Sequence, residues 1–75
     1  MKDIEYNKEK AKFLLKTRKI DLKIIREMII FWDYIDIIPH PKKDNQSFFI
    51  FNIDNYIVLV PFVEDKKKIF LKTAF

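Results

Sequence analysis

Residues 55–75 read NYIVLVPFVEDKKKIFLKTAF, and the fold turns on how this stretch divides. Positions 56–63 form a β-branched and aromatic run interrupted only by Pro61, positions 64–68 are all charged, and positions 69–75 form a second strand-like run. A run of about 4–8 β-forming residues bounded by turn residues reads as a strand. Two such runs joined by a charged segment read as an antiparallel hairpin whose loop faces solvent. Lys72-Thr73 sets a cation and a hydroxyl among residues that otherwise suit a core, so function is expected at that end of the sheet.

Working outward, SFFIFNI at 47–53 is another strand, turned into the hairpin by Asp54-Asn55. Asn tolerates positive φ, so this tight turn needs no glycine. Residues 42–46 are a polar loop, and residues 34–38 read as a strand ending at Pro39-His40-Pro41, whose prolines keep His40 out of regular pairing. Upstream, Ile24, Ile25, Met28, Ile29 and Trp32 recur at helical spacing behind Asp21, with Ile20 placed to staple against Ile25. This stripe is expected to cover one face of a sheet. Asn7 caps an earlier helix over 8–19, with Ala11, Leu14 and Leu15 on its apolar face and Phe13 at the margin. Lys8, Lys10, Lys12, Lys16, Arg18 and Lys19 make the rest of that helix basic. Residues 3–7 are a short edge strand. The expected fold is α+β in the order β-α-α-β-β-β-β, with two N-terminal helices on one face of a small, mainly antiparallel sheet. The helices leave the second face for a partner, because residues 48–51 (FFIF) put apolar side chains on both faces.

The chain of 75 residues, 49% of them apolar, makes one domain over 1–75 that can build a core but stands to gain stability from a partner. Cysteine is absent, which excludes a disulfide scaffold, a thiolate metal site and a cysteine nucleophile. One histidine without an acidic cluster gives no structural zinc site, so neither metal nor cofactor is expected. Glycine is absent as well, which removes Gly-rich phosphate loops and dinucleotide fingerprints. The N-terminus is charged, and no apolar run approaches the roughly 18 residues of a membrane span. A cytoplasmic protein with no membrane partner is the expectation. The net charge of +4 suits an anionic partner, or a lysine-rich surface that is merely solvated.

Three stretches, YNKEKAKFLLKTRKIDL at 6–22, IDIIPHP at 35–41 and NYIVLVPFVEDKKKIFLKT at 55–73, together resemble the BrnT-like toxins of bacterial type II toxin–antitoxin systems. These belong to the wider RelE/ParE toxin fold. The resemblance covers nearly the whole chain and is sharpest in VPFVED and IFLKT. It implies a small basic ribonuclease that inhibits translation by metal-independent RNA cleavage, on free or ribosome-bound mRNA. It also implies a cognate antitoxin, commonly a ribbon-helix-helix DNA-binding protein. In the relatives Lys-Thr is followed by a Pro-Ser-Arg segment and a basic tail, whereas this sequence ends at Ala74-Phe75. That departure implies a truncated form, a toxin that works with fewer groups, or one that has lost catalysis. A non-catalytic, degenerate toxin that docks an antitoxin or the ribosome is the alternative expectation, and a general nucleic-acid binder the third.

Metal-independent RNA cleavage needs a group to take the 2′-hydroxyl proton, cations for the phosphorane and an acid for the leaving oxygen. Lys72 is the first catalytic candidate, as a cation on the last strand; it equally fits a lysine blunting an edge. His40 is the second, as the one side chain with an ordinary pKa near neutrality. Lys16 and Arg18 match a basic pair in the relatives' first helix and its exit, and would hold phosphates. Thr73 and Gln46 are hydrogen-bonding candidates for sugar or phosphate. Tyr34, Tyr56 and Trp32 can stack on bases, although the helical stripe places Trp32 in the core. The expectation is a positively charged pocket floored by the last hairpin and fenced by the first helix.

Overall fold

The computed structural model describes residues 2–75. Side-chain caps start both helices. Asn7 Oδ1 accepts from the Lys10 N–H at 3.0 Å to open α1 (Lys8–Arg18), and Asp21 Oδ1 accepts from the Lys23 N–H at 2.9 Å to open α2 (Leu22–Ile30). The strands are β1 (Asp3–Tyr6), β2 (Asp36–Pro39), β3 (Gln46–Ile53), β4 (Tyr56–Glu64) and β5 (Lys68–Leu71). The element order is the expected β-α-α-β-β-β-β, and the sheet order is β1-β5-β4-β3-β2. All pairs are antiparallel except β1 with β5, at the edge. Among the described residues no helix is long and apolar enough to cross a membrane.

The core lies between the helices and one face of the sheet. Leu14, Leu22, Ile25 and Ile29 come from the helices, and Ile4, Phe49, Phe51, Val58, Val60, Phe62, Leu71 and Ala74 from the sheet and its tail. Burial of each large aliphatic or aromatic side chain contributes about 1.5–3 kcal/mol. Phe49 stacks on Phe62 at 4.3 Å and Tyr34 tilts against Phe49 at 5.1 Å. By alternation, Phe48, Ile50, Leu59, Val63 and Phe70 lie on the opposite, helix-free face.

Parts of the expected helical stripes are corrected. Leu15 is exposed on α1, where Leu14 alone is buried, and Ile24 is exposed on α2, whose buried line is Leu22, Ile25 and Ile29. A nine-residue helix has room for one such stripe against the sheet. Trp32, expected in the core, is 75% exposed. The helix ends before it, and Trp32 takes the left-handed conformation, φ 58°. Its N–H donates to the Ile29 carbonyl and the Asp33 N–H to the Met28 carbonyl, so Trp32 stands where such a cap ordinarily has glycine.

Strand ends also move. The strand expected over 34–38 is found at Asp36–Pro39, and the regular part of the last strand stops at Leu71. Beyond Leu71 the tail still pairs with β4: Leu59 and Phe75 exchange both backbone hydrogen bonds, at 2.7 and 2.9 Å. Leu71 faces Phe62 and Phe75 faces Leu59, so the tail carries one residue more than β4 between these points. Thr73 and Ala74 therefore share the place opposite Val60, a bulge that puts Ala74 into the core.

Pro61 occupies a central strand, where its missing N–H is normally excluded. The gap falls on the tail side, opposite Lys72: Lys72 donates to the Pro61 carbonyl at 2.8 Å and receives nothing from proline nitrogen in return.

Both outer edges are closed. On β2, the Ile37 N–H points away from β3 and donates to Asp36 Oδ1 at 2.7 Å, and Pro39 has no N–H to offer. On β1, the outward carbonyl of Ile4 accepts from Arg26 Nε of α2 at 2.9 Å. These contacts blunt the sheet against edge-to-edge pairing.

A bulky residue in the left-handed region costs about 1–2 kcal/mol. Trp32→Gly is therefore expected to stabilise the fold by about 1 kcal/mol, a rise of about 4–8 °C in melting temperature by calorimetry. An unchanged or lower melting temperature would show that exposed Trp32 contributes packing that offsets the strain.

Candidate nucleic-acid interface

The helix-free face presents its side chains in rows across the strands. Phe70, Val63, Gln46 and His40 stand side by side in one row, and Lys72, Pro61, Phe48 and Ile38 in the next. Adjacent strands are about 4.8 Å apart, so Lys72 lies about 10 Å from Phe48 across Pro61.

His40 is held by the Pro39–Pro41 corner and by its own ring. Nδ1 accepts the N–H groups of Lys42 and Lys43 at 3.0 and 3.1 Å, and the ring stacks on Phe48 with centroids 5.8 Å apart. A nitrogen that accepts two hydrogen bonds carries no proton, so the proton of the neutral ring is assigned to Nε2. His40 therefore offers a donor outward and no free acceptor.

Lys72 is exposed and, among the described residues, makes no ion pair. Its neighbour along the strand face, Lys68, lies 3.8 Å from the Glu5 carboxylate. Lys72 thus stands on this face without an acidic partner among the described residues. Gln46 is buried in its row, and its carbonyl accepts from the His40 N–H at 2.9 Å. Thr73 is half-buried in the bulge, beside Ala74 and opposite the core residue Val60.

Lys16 and Arg18 stand elsewhere. Both belong to α1, on the opposite side of the sheet from Lys72. Arg18 Nη1 donates to the Ala74 carbonyl at 2.7 Å, so the guanidinium pins the tail. The structure thus brings Lys72, His40 and Gln46 onto one face, puts Thr73 in the bulge beside Ala74, and separates Lys16 and Arg18 from them. The fenced pocket expected from the sequence does not form. Of the proposed stacking residues, Tyr56 is exposed at the β3–β4 turn, Tyr34 packs on Phe49, and Trp32 lies at the end of α2.

The aromatic positions that do lie beside Lys72 and His40 are Phe48 and Phe70. Alternation within 46–53 and 68–71 carries that signal, but it becomes readable only when one knows which parity faces the helices.

The larger concavities lie away from this face. A groove of about 720 Å³ between the α1–α2 junction and the β3–β4 turn is lined by Arg18, Ile20, Ile24, Tyr56, Ile57 and Phe75 among others. A smaller one, of about 370 Å³, lies by the β4–β5 turn, around Asp44, Glu64 and Asp65. Neither is lined by Lys72 or His40. In that turn the N–H groups of Lys67 and Lys68 donate to Asp65 Oδ1, both at 2.8 Å, and hold its carboxyl below the usual aspartate range.

Two measurements follow. Arg18→Ala is expected to speed hydrogen exchange at the Leu59 and Phe75 amides and to lower stability by about 1–2 kcal/mol; unchanged exchange would mean that the tail holds without it. Because the folded Asp65 carboxyl titrates below its unfolded value, the stabilisation it gives the turn is fully present above the ordinary aspartate range and is lost as pH falls through the lowered pKa. The Lys67 and Lys68 amide shifts in an NMR titration should move with a midpoint below that of an ordinary aspartate. Comparison of the chain with family models, with characterised proteins and with solved structures gives no match.

Proposed function

We propose that this chain is a non-catalytic protein of the toxin type that binds RNA, such as RNA exposed on the ribosome, through the helix-free face of its sheet. The observation that carries the reading is the placement of Lys72, free of any ion pair among the described residues, on the same open face as the His40–Phe48 stack. Bases stack on aromatic rings of an open sheet while cations track the phosphates. Phe48 and Phe70 supply the rings, Lys72 the charge, and His40 Nε2 a hydrogen bond.

Cleavage asks more. It needs an acceptor for the 2′-hydroxyl proton close to a cation and an acid at one phosphate. Here the histidine acceptor, Nδ1, is occupied by backbone N–H groups, and Arg18 is spent on the tail. The face is open rather than enclosed, which suits binding. The second reading is metal-independent cleavage with Lys72 stabilising the phosphorane and His40 as the acid. It draws on these two sharing one face, and on the resemblance to ribonuclease toxins. In either reading a cognate antitoxin is the expected protein partner.

Binding of the full chain to a labelled single-stranded RNA, followed by anisotropy, tests both readings. Affinity should fall steeply with salt, and Lys72→Ala should weaken it and reduce the salt slope by about 1. Phe48→Ala should cost about 1–3 kcal/mol of binding, the scale of one stacked base. The RNA should stay intact on a denaturing gel. Cutting that Lys72→Ala abolishes would replace the binding reading with cleavage, and salt-independent or absent binding would remove both.

A further inference from the structure

The end of α2 carries a second surface, on the helix side of the sheet and away from Lys72. Phe31 is 80% exposed, Trp32 75%, Ile35 60% and Ile37 41%. Trp32 and Ile37 also line, with Ile4, Ile29, Tyr34 and Phe49, a cleft of about 220 Å³. Lys2 and Glu64 at this cleft are paired at 2.7 Å and cancel each other's charge. Residues 27–41 hold Glu27, Asp33 and Asp36 and neither lysine nor arginine, on a chain whose net charge is +4. A strained backbone, the largest aromatic side chain turned to solvent and a local reversal of charge thus coincide.

We propose that this surface docks a basic amphipathic helix of a protein partner. The carboxylates that adjoin these apolar residues in the chain, Glu27 one turn before Phe31, Asp33 beside Trp32 and Asp36 on the β2 edge beside Ile37, outnumber the nearby Arg26. They repel phosphate and favour Lys and Arg flanking an apolar stripe. An added strand is ruled out by the blunted edge beside it, where Asp36 takes the Ile37 N–H and Pro39 has none. Association must then come from side-chain packing, and a helix laid on an apolar patch is the mode that needs no free backbone edge. Exposed Trp and Phe are the side-chain types that anchor such contacts. The proposal does not depend on RNA binding, since it invokes none of Lys72, His40, Phe48 and Phe70.

Trp32 is the chain's only tryptophan, so its emission reports occupancy. The full chain is titrated with an amphipathic leucine–lysine peptide about 18 residues long, roughly five helical turns, and with its leucine–glutamate counterpart. The lysine peptide is expected to shift the emission to the blue and saturate; the glutamate peptide is not. Asp33→Asn with Asp36→Asn, in which the new amide oxygen still accepts the Ile37 N–H, should weaken binding about three- to tenfold. Phe31→Ala should weaken it by at least about tenfold. Trp32→Gly, followed by calorimetry, should bind no peptide while remaining folded. Equal response to both peptides, indifference to the Asp changes, or no response to either overturns the proposal. So does a shift produced instead by single-stranded RNA or by phosphatidylcholine vesicles.

Discussion

The pairing of β3 with β4 is the constraint on which the rest depends. Asp54 and Asn55 both adopt left-handed backbone, φ 51° and 69°, and close a two-residue turn that runs the pairing from Ile53 opposite Tyr56 to Gln46 opposite Val63. Side chains alternate along each strand, so a slip of one residue would turn β4 over relative to β3. Val58, Val60 and Phe62 would leave the helices, and Leu59, Pro61 and Val63 would take their place. The helices bury what this register hands them, and the face left over is the one that bears Lys72 and His40.

Pro61 sets a second condition. Its missing N–H breaks the ladder to the last strand at Lys72, and the tail carries an extra residue next to that gap, at Thr73-Ala74. Three contacts then secure it: the paired Leu59 and Phe75, the buried Ala74 methyl, and the Arg18 guanidinium on the Ala74 carbonyl. An arginine that reads in sequence as a phosphate ligand is thereby a clamp on the backbone. His40 undergoes a similar change of role, since a ring nitrogen committed to the Lys42 and Lys43 amides cannot also receive a proton from a substrate.

A chain with no glycine must turn with residues that resist turning. Asp54 and Asn55 accept positive φ at low cost because their short polar side chains bond locally. Lys19 and Trp32, at the ends of the two helices, do so against steric resistance, at φ 59° and 58°. For Trp32 the outcome is an exposed indole among carboxylates. The molecule therefore presents two unlike surfaces, a sheet face whose Lys72 has no ion pair among the described residues and an exposed aromatic patch at the end of α2.

Much of this was legible in the residues themselves. Asn7 and Asp21 announce helix starts because a short acceptor side chain satisfies an early N–H, and β-branched runs separated by Asp54-Asn55 and by 64–68 announce strands and turns. Element order and the antiparallel hairpins follow from such local signals. The stripe through Ile24 and Trp32 misled because periodicity does not mark where a helix stops. Which of Lys72, His40, Lys16 and Arg18 meet is a different kind of question. It depends on which parity of each strand faces the helices. Local chemistry determined the pieces and their order; long-range packing alone decided which side of the sheet each charge came to occupy, because side-chain direction is set by register and register by burial.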